Sequence, residues 1–558
     1  MSDPARAIIE GTQRARSERS QLDLLWEEVA SVLSPERIGF TGKTAAPHRK
    51  TDKIFDTQPI TTKRSLVNAL GSMLRPKSAA PGKWFDIVPE DDSLLDVGGV
   101  KEWIEFAEER LWKALYNPKA KFIEATGEVD DDLVTFGTGA GFVGARQDQS
   151  GLAFRSFHLN SIYIETDAEN NPVTAYVVES MSAEQAAEKW GEDNLGDKTK
   201  EELKEGSKQG AKQKFEFFWR VTSREDRDPR IKNNRNMSFS SIVVDVLSEH
   251  IVTEDGFEEF PFFFPRWDTR SGEVYGRGVG ILALPDVLTL NQMGKTMLRG
   301  LHRAVDPPWL LPADSMVNAP QMRGGGISYY DAKAIRNLGL SDPFRQMESR
   351  AQIPWGLNAQ QALREQIMAL FYRNVLNLPV SAPQMTATEV IQRREEFVRE
   401  IGAVFGRLES DYTGPLIERS FNMMLRRGVF GDSSTIPEEL MVSGVSFRFA
   451  SPIEKAKQQI EEATVMAGLE KVMLIGQIKP EIMNRFDWDA VGKFLAKSGD
   501  FPQSLTLDDA QVGELAAQQA QAAQEEKELA TAERMSNSII PAVASVGAQA
   551  QAQGQEES

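Results

Sequence analysis

The stretch from Pro285 to Leu376 constrains the fold most, because two long amphipathic patterns enclose a segment that cannot be helical. "PDVLTLNQMGKTMLRGLHRAV" opens with a proline where a first helical turn tolerates one. At about 100° per residue, Leu290, Met293, Met297, Leu301 and Ala304 form one stripe, and Lys295, Arg299 and Arg303 lie opposite. Asp306-Pro307-Pro308 ends the pattern. From Pro307 to Trp355, around "MRGGGISYYDA", the chain is rich in Pro and Gly and reads as a small irregular unit containing β-strands. "NAQQALREQIMALFYRNVL" then predicts a second helix, so two helices flank a compact excursion. Two prolines hold the following "NLPVSAPQMT" out of helical geometry.

Upstream the chain reads as helical first and then as strands. Leu22, Leu25, Trp26, Val29 and Leu33 recur at three- and four-residue steps. "ITTKRSLVNALGSML" and "VKEWIEFAEERLWKALYNP" predict two more helices, stopped by Pro76 and Pro118. From Gly141 to about Ser180, short aromatic and β-branched runs separated by Asn-Asn-Pro predict a meander of strands. Ser182 and Gln185 stand at capping-box spacing before "AEQAAEKW". The charged run after it reads as a solvated loop with some helix. Strands resume at "KFEFFWRVTS", "FSSIVVDVLSEHIV" and "FEEFPFFFPRW", with "TEDG" expected as the turn between the last two. Downstream, Thr386 and Glu389 cap a long helix with Val390, Phe397, Ile401, Val404 and Leu408 on one stripe, and Thr413-Gly-Pro is expected to bend the chain into a helix ending at Gly428. "VSFRFASP" is strand-like, the segments from Ile453 to Leu505 read as mostly helical, and 508–535 is an Ala-, Gln- and Glu-rich helix before a flexible tail.

Composition narrows the function. At 558 residues, roughly three or four folded units are expected. Hydrophobic residues at 41% and charged residues at 26% are ordinary for a globular protein. No apolar run is long enough to span a bilayer and no signal peptide is visible, so no membrane partner is expected. With no cysteine and four scattered histidines, neither a thiolate metal site nor any other metal or cofactor is expected. A net charge of -18 speaks against a broad basic face gripping phosphates, yet an acidic wall would let a polyanion slide.

Two glycine motifs invite a nucleotide reading and both fail on spacing. "VYGRGVG" supplies Gly276 and Gly278, but its third glycine is Gly280, with Ile281 where a dinucleotide fingerprint needs glycine. The helix is expected to begin only near Pro285, too far on to aim its amides at a pyrophosphate. "GKT" at Gly42 resembles the end of a P-loop, but Arg37 occupies the position of its first glycine. No G-x-S-x-G elbow or H-x-x-x-H pair occurs, so an enzyme is not expected. Gly276, Gly278 and Gly280 read instead as a structural elbow, giving the chain freedom to turn sharply and approach its neighbours closely.

The order and spacing of "NALGSMLRPKSAAPGKWFDIVPED", "DDLVTFGTGAGFV", "FPFFFPRWDTRSGEVYGRGVGILALPDVLTLNQM", "DPPWLL" and "TATEVIQRREEF" resemble the head-to-tail connector, or portal, proteins of short-tailed phages over about Asp23 to Pro452. The resemblance implies a multidomain α+β portal fold, mainly helical with strands in wing and clip, assembling as a ring, usually a dodecamer. It implies a wing over 1–284, a first stem helix over 285–305, a clip over 306–356 and a second stem helix over 357–377. A channel loop over 378–385 would contain Pro379, Val380, Ser381, Pro383, Gln384 and Met385. A long helix and returning wing segment would follow over 386–452, crown helices over 453–540 and a tail over 541–558. Double-stranded DNA would pass through the ring into the capsid and out again. The partners implied are the terminase motor, major capsid protein and scaffold, tail adaptor and nozzle proteins, and internal core proteins. Lys295, Arg299 and Arg303 become candidates either for DNA phosphates in the channel or for a neighbouring subunit. The alternative function is a head-tail assembly adaptor that does not conduct DNA.

Overall fold

Helix α1 (Pro4–Leu33) shows how one periodic pattern serves two cores. Its second half buries Trp26, Val29 and Leu33 against α2 (Gln58–Leu74) and α4 (Phe122–Phe136). Its first half lays Ala5, Ile8 and Ile9 on a sheet with Phe218, Ile242 and Val244. The computed structural model describes residues 4–42, 51–75, 83–91, 93–94, 98–146, 151–205, 214–228, 230, 233–313, 321, 325–331, 345–346, 353–373, 402, 404–431 and 436–449, with short stretches between 465 and 521. The chain divides into two units, Met1–Lys457 and Gln458–Ser558. In the second unit the described residues are helical pieces such as 468–474 and 490–492.

Among its described residues the first unit mixes helices with four small sheets, an α+β arrangement. After β1 (Phe85–Pro89) and α3 (Gly98–Leu115) comes α4, then β2 (Gly141–Ala145), β3 (Leu152–Ser156), β4 (Ile162–Thr166) and β5 (Pro172–Ser182). These four strands do not form one meander. β2 joins β3 and β9 (Phe262–Phe263), whereas β4 and β5 start an antiparallel sheet completed by β6 (Lys214–Ser223), β7 (Phe239–Asp245) and β8 (His250–Phe257). The single-turn 3₁₀ segment Leu159–Ser161 carries the chain from one sheet to the other. Strand alternation sends Phe217 and Val243 to one face, under Ala183 and Ala186 of α5 (Ala183–Trp190), and Phe218, Ile242 and Val244 to the face under α1. Ser182 and Gln185 make the reciprocal capping box at the start of α5. Part of the charged run beyond it is helical, as α6 (Asp197–Glu205).

"TEDG" is not a turn. It lies inside β8, and the chain reverses at 246–249, where Asp245 Oδ1 accepts from Leu247 N at 3.1 Å and Glu249 adopts a φ of 49°. Gly256 is a glycine because its Cβ would stand 2.5 Å from the Asn234 carbonyl oxygen.

Further along come α7 (Val279–Val305), β10 (Trp309–Ala313), β11 (Ile327–Asp331), β12 (Arg345–Gln346) and α8 (Ile353–Leu370). β10 lies between β11 and β12 in a three-stranded sheet. α8 starts five residues before Asn358, with Pro354 in its first turn, and its run ends at Leu370, just before Tyr372 turns left-handed at φ 56°; the expected end at Leu376 lies outside the described residues. The expected channel loop and most of the long helix beyond it lie outside the described residues. At Thr413-Gly-Pro the helix does not break. A π-helical turn, Glu409–Thr413, leads into α9 (Gly414–Arg426), and Gly414 N donates to Glu409 O. Past α10 (Glu438–Ser443), β13 (Val445–Phe449) returns to pair antiparallel with β1.

Three consecutive acids in α4 tie this core together, because a helix turns about 100° per residue and sends each to a different neighbour. Asp130 meets Arg75 at the end of α2 and accepts from Tyr412 Oη at 2.9 Å. Asp131 lies 2.8 Å from Lys63 Nζ, and Asp132 3.2 Å from Arg37 Nε. Asp132 is buried, and desolvation, only partly offset by Arg37, pushes its carboxyl up to about 7.

Candidate functional site

α7 and α8 run antiparallel. Gln366 donates to Asp286 at 3.1 Å near one end, and at the other Gly356 leaves space for Met297, whose sulfur would be 2.6 Å from a Cβ there. The segment Thr51–Thr57 clamps the pair. Asn291 accepts from Phe55 N at 2.7 Å and donates to Lys53 O at 2.9 Å, and Gly294 lets the Phe55 backbone approach. Asp56, with its side chain 3% exposed, receives both Nε and Nη2 of Arg364 at 3.0 and 2.9 Å, and Gln360 Nε2 at 3.1 Å. A carboxylate holding three donors from α8 fixes that helix against the start of α2. Spacing along the chain does not reveal this clamp. Asp56 is visible in the sequence only as a polar residue two positions before a helix, accepting from Gln58 N at 2.9 Å.

The three cations expected on one face of α7 differ in setting. Lys295 is half-buried, its ammonium 5.6 Å from the Phe55 ring centre. Arg299 and Arg303 are exposed and have no ion-pair partner among the described residues. The apolar stripe opposite is covered only in part. Leu290 is fully buried and Met293 and Met297 half-buried, but Leu301 is 43% exposed and Ala304 is exposed. Val305 at 84% and Trp355 at 75% extend this uncovered region. So much exposed apolar side chain at one end of a helix pair marks a surface suited to a further partner.

At the other end of α7 the glycine motif meets α4. The helix begins at Val279, not near Pro285, which sits in its second turn. Its start is set by tertiary contact: the last carbonyls of α4 face the first turn of α7, so partial charges of opposite sign adjoin. A Cβ on Gly276 would lie 2.3 Å from Gly137 O, one on Gly278 2.5 Å from Gly137 N, and one on Gly280 2.4 Å from Thr135 O. None of the three has a positive φ; at this junction that conformation belongs to Gly137, at 92°. Close backbone approach, rather than a sharp turn, is what requires glycine at 276, 278 and 280. Gly276 N donates to Thr138 Oγ1 at 2.8 Å and Arg277 N to Asp268 O at 2.7 Å, fastening the motif on both sides.

These groups join helices to one another and leave cations and apolar side chains at a surface, an arrangement that serves structure and assembly. Bacteriophage head to tail connecting proteins, as a family, match residues 5–506, and the chain belongs to that family. The portal protein of Salmonella phage epsilon15 is 24% identical over 526 residues, covering 93% of this chain and 92% of that protein. The probable portal protein of Bordetella phage BPP-1 is 25% identical over 481 residues, covering 85% of this chain and 83% of that protein. Among solved structures, a chain from the virion of a native gene transfer agent particle aligns with 80% of this chain and 99% of its own length, at 10% identity and a TM-score of 0.32, too low to bear on the fold.

Proposed function

We propose that this connector is the portal of a short-tailed phage, a ring of twelve copies at one capsid vertex through which double-stranded DNA is packaged and ejected. The observation that carries the reading is the family match over residues 5–506, together with two antiparallel helices that flank a small sheet. In this reading α7 and α8 are the stem, the β10–β12 sheet belongs to the clip, the elements before α7 and the α9 region form the wing, residues 453–540 form the crown and 541–558 a tail. The 378–385 loop borders the channel. The clip meets the terminase motor during filling and tail adaptor and nozzle proteins afterwards, while capsid protein, scaffold and internal core proteins contact the rest.

The charge distribution supports passage rather than capture of DNA. With a net charge of -18, most of the wall repels a polyanion, and few cations are available as points of adhesion. Lys295, Arg299 and Arg303 of α7 are the candidates to meet phosphates or a neighbouring subunit, with Lys295 at the less exposed end of that face. Electron microscopy of the purified protein is the direct test. Homogeneous rings with an open axial channel are expected; compact monomers with nucleotide-dependent melting would refute the reading.

A further inference from the structure

α8 ends on a residue poorly suited to ending a helix. Among the described residues four that are not glycine have a positive φ, and Tyr372, at 56°, is the one aromatic. Phe371 N donates to Ile367 O at 3.1 Å in a regular α-helical bond, but Tyr372 N donates to Ala369 O at 2.9 Å, one residue closer along the chain. That is the geometry of the position just past a helix end, where glycine or asparagine usually stands. A residue with a Cβ enters the left-handed region at a disadvantage of roughly five- to thirty-fold.

Nothing in the local sequence asks for the turn at this place. "ALFYRN", residues 369–374, contains no glycine or proline, and its asparagine, the residue type that turns left-handed most readily after glycine, stands two positions further on. A helix running on past Tyr372 is what the local sequence favours. The turn is therefore imposed by a tertiary contact.

The neighbour that imposes it is Trp267. Its ring centre lies 6.4 Å from that of Tyr372, with the planes at 38°, and Phe371 beside them is fully buried. Trp267 is itself buried, and its N donates to Gly137 O at 2.9 Å. The residues on either side of it are gripped by the helical stretch that leads into α9: Arg266 Nε donates to Asp411 at 2.9 Å, and Arg407 Nη1 to Asp268 at 3.3 Å. An aromatic pair contributes a factor of roughly two to ten beyond its buried area. This is the same order as the disadvantage of the left-handed turn, so the contact with Trp267 decides between a turned and a straight helix end.

We propose that the end of α8 is a two-position device, turned at Tyr372 while Trp267 backs its ring and straight through Arg373 when the 266–268 loop is drawn away. Movement of the stretch that carries Arg407 and Asp411 is what draws the loop. The end of α8 and the helix leading into α9 are coupled in this way through one tryptophan. The device lies within a single chain and does not depend on self-assembly.

The chain has no cysteine, so Asn358→Cys and Arg373→Cys give two sites for spin labels on the full chain, and pulsed electron resonance reads their separation. Residues 358 and 373 would lie about 22 Å apart along a straight helix. In this labelled parent, Tyr372→Ala and Tyr372→Gly both remove the ring and differ in the cost of the left-handed turn. Tyr372→Ala is expected to lengthen the main distance by roughly 3 Å, two residues of helical rise, while Tyr372→Gly stays near the parent. Equal distances in the two variants, both parental or both lengthened, overturn the proposal. Trp267→Leu keeps Tyr372 and removes its support, and should lengthen the distance as well; a parental distance there also overturns it.

Discussion

The two ends of α7 obey different rules. At Val279 the helix is finished inside one chain, with glycine backbone against the carbonyls of α4 and no room for a methyl group. Toward Val305 it is unfinished, with apolar side chains and two arginines at the surface. A helix with one end completed by its own chain and the other left open is built to be held firmly at the first end and met by something else at the second.

Mutations at the finished end should be the most damaging. Gly280→Leu forces a side chain onto the Thr135 carbonyl, and a loss of more than about 3 kcal/mol is expected, read as insoluble protein or a sharply lower thermal midpoint. Gly278→Leu should behave alike, with no nucleotide affinity to abolish; a fold that absorbs either change unharmed breaks the contrast. The clamp lies between the two ends. Asp56→Ala leaves Arg364 and Gln360 without their acceptor and should cost about 2 kcal/mol, with faster amide exchange over 51–57.

A smaller effect is expected from Asp132, in the core beside the finished end. Its folded carboxyl titrates near 7, against a reference value of 3.8, so between those values the folded chain binds the extra proton. Stability from this group is therefore greatest at low pH, falls as pH rises from about 4 to about 7, and is level above. Asp132→Asn should remove that component. The wild-type and variant unfolding free energies should diverge across the window, and parallel curves would refute the assignment. The open end should give the smallest change in stability. Replacing Lys295, Arg299 and Arg303 together by Ala is expected to cost less than about 1 kcal/mol and to leave rings intact while impairing DNA packaging or retention. Rings that fail to form would assign the arginines to a neighbouring subunit.

The helices and strands of this fold were largely legible because their patterns are local. Ser182 and Gln185 announce α5, and Pro76 and Gly428 mark the ends of α2 and α9 within two residues. The misreadings share one cause: a distant contact outweighed a local signal. Gly256 looks like a turn residue but serves a close backbone approach to Asn234, and Pro285 looks like a helix start although α4 sets the start at Val279. Asp56, Asn291 and the β1–β13 pairing could not be foreseen, since their partners lie hundreds of positions away. The spacing of Lys295, Arg299 and Arg303 was plain in the sequence; that Lys295 rests on Phe55 while the arginines reach solvent was not.

The junction of α4 with α7 also has a mechanical meaning. α7 is 27 residues long, about 40 Å of helix, and it meets α4 through main-chain atoms. Side chains yield to load by changing rotamer, but a peptide backbone in contact with another has no such compliance. With main chain set against main chain at Gly276, Gly278 and Gly280, this end of α7 has little slack.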